Sequence, residues 1–324
     1  NPRRRAWIAG GLVTALVAAG ASLLSAPTAA ASRIPVSASI RSQAVSASQP
    51  ARSHRYRHRT KVIMPIRQAM GPTRPKRTDP IRFHGGAVMT GSVHVYLIWY
   101  GDWSKSPAVT LISDLVRGFP ASAYAGTNAT YTDSKGTPAA TDIQLAGSLT
   151  DTYSQGPSLT DAEVRRVITK AITSGALPAD DHGIYAVLSS ADVKETSGFA
   201  SRYCGWHFRM SLKLTPVRYL YAGDPGLQGT RTCIPPMTGS ANGDPGADAL
   251  ASTVVHEIDE TITDPDIDAW YDRYGYENAD KCAWTYGPTW TNSHGGTANV
   301  TIGGHDFLIQ QNWVARSPQT CALS

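Results

Sequence analysis

The sequence predicts an α/β (α+β) fold, a single mixed-sheet domain flanked by helices, and three observations carry that prediction. Residues 92–100 (SVHVYLIWY) form a β-branched and aromatic run, followed at Ala108 to Phe119 by helical spacing of apolar residues. Residues 159–175 read as an amphipathic helix and lead into a second short apolar run, Gly183 to Ser189 (GIYAVLS). A further helical stretch is bracketed by Asp244-Pro245 and Asp264-Pro265. Buried strands alternating with covering helices are the pattern of a sheet packed by helices.

Each element has a local cause. Thr160 is placed to cap the second helix, Glu163 completes a capping box, and Gly175 stops the helix. Residues 206–214 and 217–221 alternate as a hairpin or as two edge strands. Asp244 suits an N-cap and Pro245 the first helical position, while Pro265 restricts Asp264 and ends the helix there. Between them Leu250, Val254, Ile258 and Ile262 recur every four residues and define one apolar face.

Charge divides the chain. Of 324 residues 41% are hydrophobic and 17% charged, which excludes a disordered chain, a collagen and a coiled coil. The net charge of +5 suggests a nucleic-acid binder until its distribution is read. Residues 1–82 hold 15 of the 30 Lys and Arg residues and one acid, Asp79, which leaves 15 bases against 24 acids in the remainder. A body with that acidic excess repels a phosphate backbone, so nucleic acid is not an expected partner.

Residues 1–31 have the form of a secretory signal peptide: Arg3, Arg4 and Arg5, then an apolar stretch, then Ala29-Ala30-Ala31. Residues 32–82, rich in Ser, Pro and Arg, lack apolar periodicity and are expected to be a disordered linker or pro-segment. The folded body is expected at 83–324. No other run reaches transmembrane length, so no membrane contact is expected after signal cleavage. Cys204, Cys233, Cys282 and Cys321 form an even set without a CxxC pair, which fits export and disulfide formation. Of three possible pairings the sequential one, Cys204 with Cys233 and Cys282 with Cys321, is expected, each loop adding about 3–4 kcal/mol in the chain-entropy model.

The chemistry concentrates between His256 and Asp280, where nine acids stand against one base, Arg273. Gathering so many carboxylates is costly unless a cation offsets their repulsion. On the helix, His256 and Glu260 are one turn apart and lie within about 40° of each other, so both can reach one ion. The alternative is an ordinary amphipathic helix with a solvated acidic face.

The HExxE pattern His256-Glu257-x-x-Glu260 resembles the HExxH helix of zinc metallopeptidases, with Glu260 in place of the second histidine. That zincin-like resemblance implies His256 and Glu260 as metal ligands, Glu277 or Asp280 as a further ligand, and Glu257 as general base. Zn2+ is the implied ion, although a donor set this rich in carboxylates also suits Mn2+ or Ca2+. On a zincin plan the strand carrying His207 borders the cleft, so that His207 contacts substrate; its alternative is a structural histidine.

A longer pattern covers most of residues 85–313: SVHVYLIWYGDW, AVLSSADV, CGWH at Cys204 to His207, HEIDETITDPDIDAWYD, and ENADKC. In this order it is similar to the secreted phosphate-induced, or EXORDIUM-like, family. The resemblance implies an extracellular, often cell-wall-associated protein and supplies no established reaction. Lys281 stands where the family carries an apolar residue.

The expected function is a secreted metal-dependent hydrolase acting on peptide bonds. The alternative is a non-catalytic extracellular protein with a structural metal site or glycan binding, since Trp270, Tyr271, Tyr274, Tyr276, Trp284, Tyr286 and Trp290 crowd the segment after the helix. Peptide or wall glycan is therefore the expected partner, and the sequence fixes no oligomeric state.

Overall fold

The computed structural model describes residues 61–67, 79–226 and 231–324. The signal segment 1–31 and most of residues 32–82 lie outside these. Six strands make the central sheet: β1 Val62–Pro65, β2 Ser92–Tyr100, β3 Asp142–Asp151, β4 Gly183–Ser189, β5 Tyr203–Leu212 and β6 Thr215–Gly223. Their order is β1-β5-β6-β4-β2-β3. Strands β3, β2, β4 and β6 run parallel, and β5 is antiparallel to both neighbours, β6 and β1. Buried parallel strands need apolar residues on both faces, which is why β4 and most of β2 read as unbroken apolar runs.

Helices α1 Ala108–Gly118 and α3 Pro245–Thr263 cover one face of the sheet, and α2 Asp161–Thr173 covers the other. The period of two in β2 sorts its side chains: Val93, Val95, Leu97 and Trp99 pack with Leu111, Leu115, Leu250 and Val254, while Tyr96, Ile98 and Tyr100 pack with Val164, Val167 and Ile168. The capping box of α2 forms as expected, with Glu163 N–H donating to Thr160 Oγ1 and Glu163 Oε2 accepting from Thr160 N–H at 2.7 Å. Both sequential disulfides form, Cys204–Cys233 and Cys282–Cys321. No described helix is long and apolar enough to cross a membrane.

Part of the segment expected to be linker is strand. β1 pairs with β5, Val62 opposite His207 and Met64 opposite Gly205, and buries Val62 and Met64. Lys61 fastens its start through Asp161 at 2.7 Å and the Tyr203 hydroxyl at 2.9 Å. The short apolar run VIMPI is hidden when composition is averaged over fifty mostly basic and polar residues.

Candidate metal centre

Helix α3 starts where Asp244 accepts the N–H groups of Gly246 at 2.9 Å and Ala247 at 3.1 Å, with Pro245 as the first helical residue. Beyond Pro245 every residue of the helix is buried. The face opposite Leu250, Val254 and Ile258 is therefore not solvated, and its polar groups meet other parts of the protein. At the C-terminal end Asp264 Oδ1 accepts from the N–H groups of Asp268 at 2.6 Å and Ala269 at 2.7 Å, which turns the chain after Pro265.

Strand β5 supplies the opposing wall through Cys204-Gly205-Trp206-His207. Cys204 and Trp206 face the α2 side of the sheet, and alternation turns Gly205 and His207 toward α3. Gly205 is required by close approach: a Cβ there would lie 2.6 Å from Thr253 Cγ2 and 2.7 Å from Glu257 Oε1. A third wall is the short helix α4, Asn278–Lys281, whose N-cap is Glu277. Asp280 Oδ2 accepts the Glu277 N–H at 3.3 Å, the Asp280 N–H donates to Glu260 Oε1 at 3.0 Å, and the disulfide at Cys282 holds the end of α4.

These walls bring together all six residues singled out from the sequence as ligands or catalytic groups. His256 Nε2 is 3.1 Å from Glu260 Oε1 and 3.7 Å from Asp280 Oδ1. His207 Nε2 is 3.5 Å from Glu260 Oε2 and 3.3 Å from Glu277 Oε2. Glu257 belongs to the same cluster, grouped with His207 and Glu260. All are buried, yet His256 Nε2, both nitrogens of His207, Glu260 Oε2, Asp280 Oδ1 and both oxygens of Glu257 and Glu277 have no hydrogen-bond partner among the described residues. Buried polar atoms are seldom left so, because each costs about 1–3 kcal/mol. The spacings fit coordination instead: two donors at 2.0–2.1 Å from a tetrahedral zinc lie about 3.3 Å apart.

Electrostatics point the same way. Burial alone would push the Glu260 carboxyl up, but the rings of His256 and His207 outweigh it and hold the group at about 2. Burial disfavours a charged His207, yet Glu277 and Glu260 raise the ring well above its ordinary value. Burial, then Glu260, pushes Glu257 and Asp280 far up; burial, then Asp264, does the same for Glu277. Without a cation the cluster must therefore take up protons.

Two further residues belong to the site. Asp264 continues the series His256, Glu260 by one more turn, and its Oδ2 is buried without a partner; burial pushes its carboxyl up to about 7. An i, i+4, i+8 spacing was the available signal, obscured because Asp264 also reads as the helix terminus. Gln310 sets its side-chain amide against His256 Nδ1. The amide nitrogen faces Nδ1 and also donates to the Ala279 carbonyl at 3.5 Å, while Oε1 accepts from the Trp284 N–H at 3.4 Å. The amide turned over would instead accept Nδ1–H and leave the Nε2 lone pair free for a cation. Behind them Asn128 and Asn312 donate to the two oxygens of Asp259 at 2.8 and 3.1 Å.

Two other histidines lie elsewhere. His294 meets the Ala241 carbonyl and His305 meets Asp114. Asn128 and Asn299, each two residues before a threonine in an Asn-x-Thr glycosylation motif, are buried and spend their amides on internal hydrogen bonds. Trp270 packs on Phe83 and Tyr131, and Trp284 donates to the Pro65 carbonyl, so these rings of the aromatic segment serve packing. Lys281 is buried against Asp272 at 3.0 Å.

The phosphate-induced protein 1 conserved region matches residues 81–307. The chain belongs to that family. Among its relatives, EXORDIUM-like 5 of Arabidopsis thaliana is 30% identical over 273 residues, 72% of this chain and 75% of its own length. EXORDIUM-like 3 of the same plant is 31% identical over 271 residues, 72% of this chain and 80% of its own. PHOSPHATE-INDUCED 1 of Nicotiana tabacum is 23% identical over 219 residues, 59% of this chain and 67% of its own. No solved structure matches. The EXORDIUM-like region contains His207, His256, Glu257, Glu260, Asp264, Glu277 and Asp280, while β1 precedes it and Gln310 follows it. Two disulfides and the plant relatives are consistent with an extracellular setting.

Proposed function

We propose that this chain is a secreted, cell-surface or wall-associated metalloprotein in which a buried His/carboxylate centre ties α3, β5 and α4 together. One observation carries the reading: imidazole and carboxylate atoms from three separate stretches converge with no exposure and no hydrogen-bond partner. A closed donor shell is the mark of a structural site, whereas catalytic zinc keeps an open position. Zn2+ suits two imidazoles with carboxylates, and Mn2+ or Ca2+ suits the oxygen-rich remainder. Elemental analysis of protein purified without chelators is expected to find bound metal, and His256→Ala to hold less of it. A wild type devoid of metal overturns the reading.

The metal-dependent hydrolase is the second reading, and Glu257 favours it. Both oxygens of that carboxyl are unpartnered beside the cluster, the position required of a base that takes a proton from water. A peptide or a wall glycan would then be the substrate. The structural reading expects wild-type protein to cleave no peptide or glycan panel member and Glu257→Gln to retain its metal. Turnover by wild type that disappears in Glu257→Gln decides for the hydrolase.

A further inference from the structure

We infer that the centre holds two divalent cations bridged by the carboxylate of Glu260. The inference rests on the metalloprotein reading and adds to it the number of ions and the residues each takes. The two oxygens of Glu260 face different histidines: Oε1 is 3.1 Å from His256 Nε2 and Oε2 is 3.5 Å from His207 Nε2. Each histidine has its own second carboxylate, Asp280 at 3.7 Å from His256 and Glu277 at 3.3 Å from His207. Among the described residues the donors separate into His256, Glu260 and Asp280 on one side and His207, Glu257 and Glu260 on the other, sharing Glu260 alone. The two sets share only Glu260, so a cation centred in one leaves the histidine of the other without a metal.

A bridging carboxylate with one imidazole and one terminal carboxylate on each side is the donor arrangement of two-metal centres, whose ions stand about 3.5–4 Å apart. The first cation takes His256 Nε2, Glu260 Oε1 and Asp280 Oδ1. The second takes His207 Nε2 and Glu260 Oε2 with Glu257 completing the set, and Glu277 Oε2, 3.3 Å from His207 Nε2, and Asp264 Oδ2 are further unpartnered oxygens on that side. Charge compensation favours the same number when the carboxyl groups are ionised. Glu257, Glu260, Asp264, Glu277 and Asp280 are five buried carboxyl groups facing two neutral imidazole ligands. One divalent cation leaves three negative charges buried and two leave one, and uncompensated buried charge is the costly quantity.

The test is stoichiometry on the full chain, stripped of metal and reloaded with Mn2+. Wild type is expected to bind two equivalents, His207→Ala one equivalent at the His256 side, and His256→Ala one at the His207 side. Electron paramagnetic resonance of loaded wild type, which needs no variant to fold, should show an exchange-coupled pair. His207→Ala should revert to the six-line signal of isolated Mn2+. One equivalent and an uncoupled signal in wild type overturn the bridged pair while leaving a metalloprotein. No bound Mn2+ at all overturns the underlying reading as well.

Discussion

Helix α3 has carboxylates around both ends, and the two ends treat them differently. At its N-terminus a cleft of about 1140 Å3 opens at the carboxyl ends of β2, β4 and β6, lined by Asp102, Asp192, Asp224 and Asp244 among others. Each of these acids has a donor of its own: Ser104 N–H for Asp102, Ser190 Oγ for Asp192, Gly226 N–H for Asp224, and Gly246 and Ala247 N–H for Asp244. Toward its C-terminus His256, Glu257 and Glu260 project from helix whose backbone donors are already used. Turns and helix starts offer free N–H groups within two or three residues, and the middle of a helix offers none. A count of acids therefore does not distinguish the two ends. Their unsatisfied oxygens do.

Removing metal should break the contrast most visibly. Stripping cations from the buried end leaves carboxylates without compensation, at a cost of about 3–5 kcal/mol, which lowers Tm by about 10 °C in a domain of this size. The cleft end has its own donors and should not respond. Thermal melts of native and chelator-dialysed protein measure it, with Asp192→Asn as a cleft control that keeps the full drop. Coincident melts before and after dialysis would show that the buried end needs no cation.

The next effect sharpens the comparison by moving one wall. In Gly205→Ala the added methyl meets Thr253 and Glu257 well inside contact distance, so β5 must retreat from α3. Overpacking of this kind costs about 1–3 kcal/mol. Because His207 rides on the same strand, metal content at the His207 side should fall with stability. Loss of stability with metal retained in full would separate Gly205 from the centre.

What was legible in the sequence was local. The runs at β2 and β4, the capping box of α2, and the Asp-Pro brackets of α3 each act within a few residues, and each element formed where it was read. The sequential disulfides also formed. The HExxE spacing placed His256 and Glu260 on one side of a helix, and the motifs around His207, Glu277 and Asp280 named residues that do meet there. What the sequence hid was decided by neighbours distant in the chain. β1 is a strand because β5 offers an open edge, and its apolar alternation is too short to outweigh the basic segment around it. The polar side of α3 reads as solvated until α4 and β5 cover it. Gln310 carries no signal at all: a neutral side chain reaches His256 only after the chain has turned back past α4.

The smallest predicted effect belongs to the cleft and runs with pH. Burial pushes Asp224 up to about 6, against the Gly226 N–H that favours its ionised form, with the Asp244 charge adding to the rise. A carboxyl whose folded pKa is raised binds its proton more tightly in the folded state. Its stabilising contribution is therefore present in acid, is lost as pH rises from about 4 to about 6, and is absent above that range. Above pH 6 the ionised group costs the fold about 1–2 kcal/mol after allowance for solvent reaching it from the cleft. Asp224→Asn keeps an oxygen for the Gly226 N–H and removes the charge, so the variant should be the more stable protein at pH 7. The difference should close by pH 4, as read from denaturant melts at both values. Metal content should stay unchanged, since Asp224 belongs to the end of α3 whose carboxylates already have donors. A variant less stable than wild type at pH 7, or one that loses metal, would mean that this end also depends on a cation.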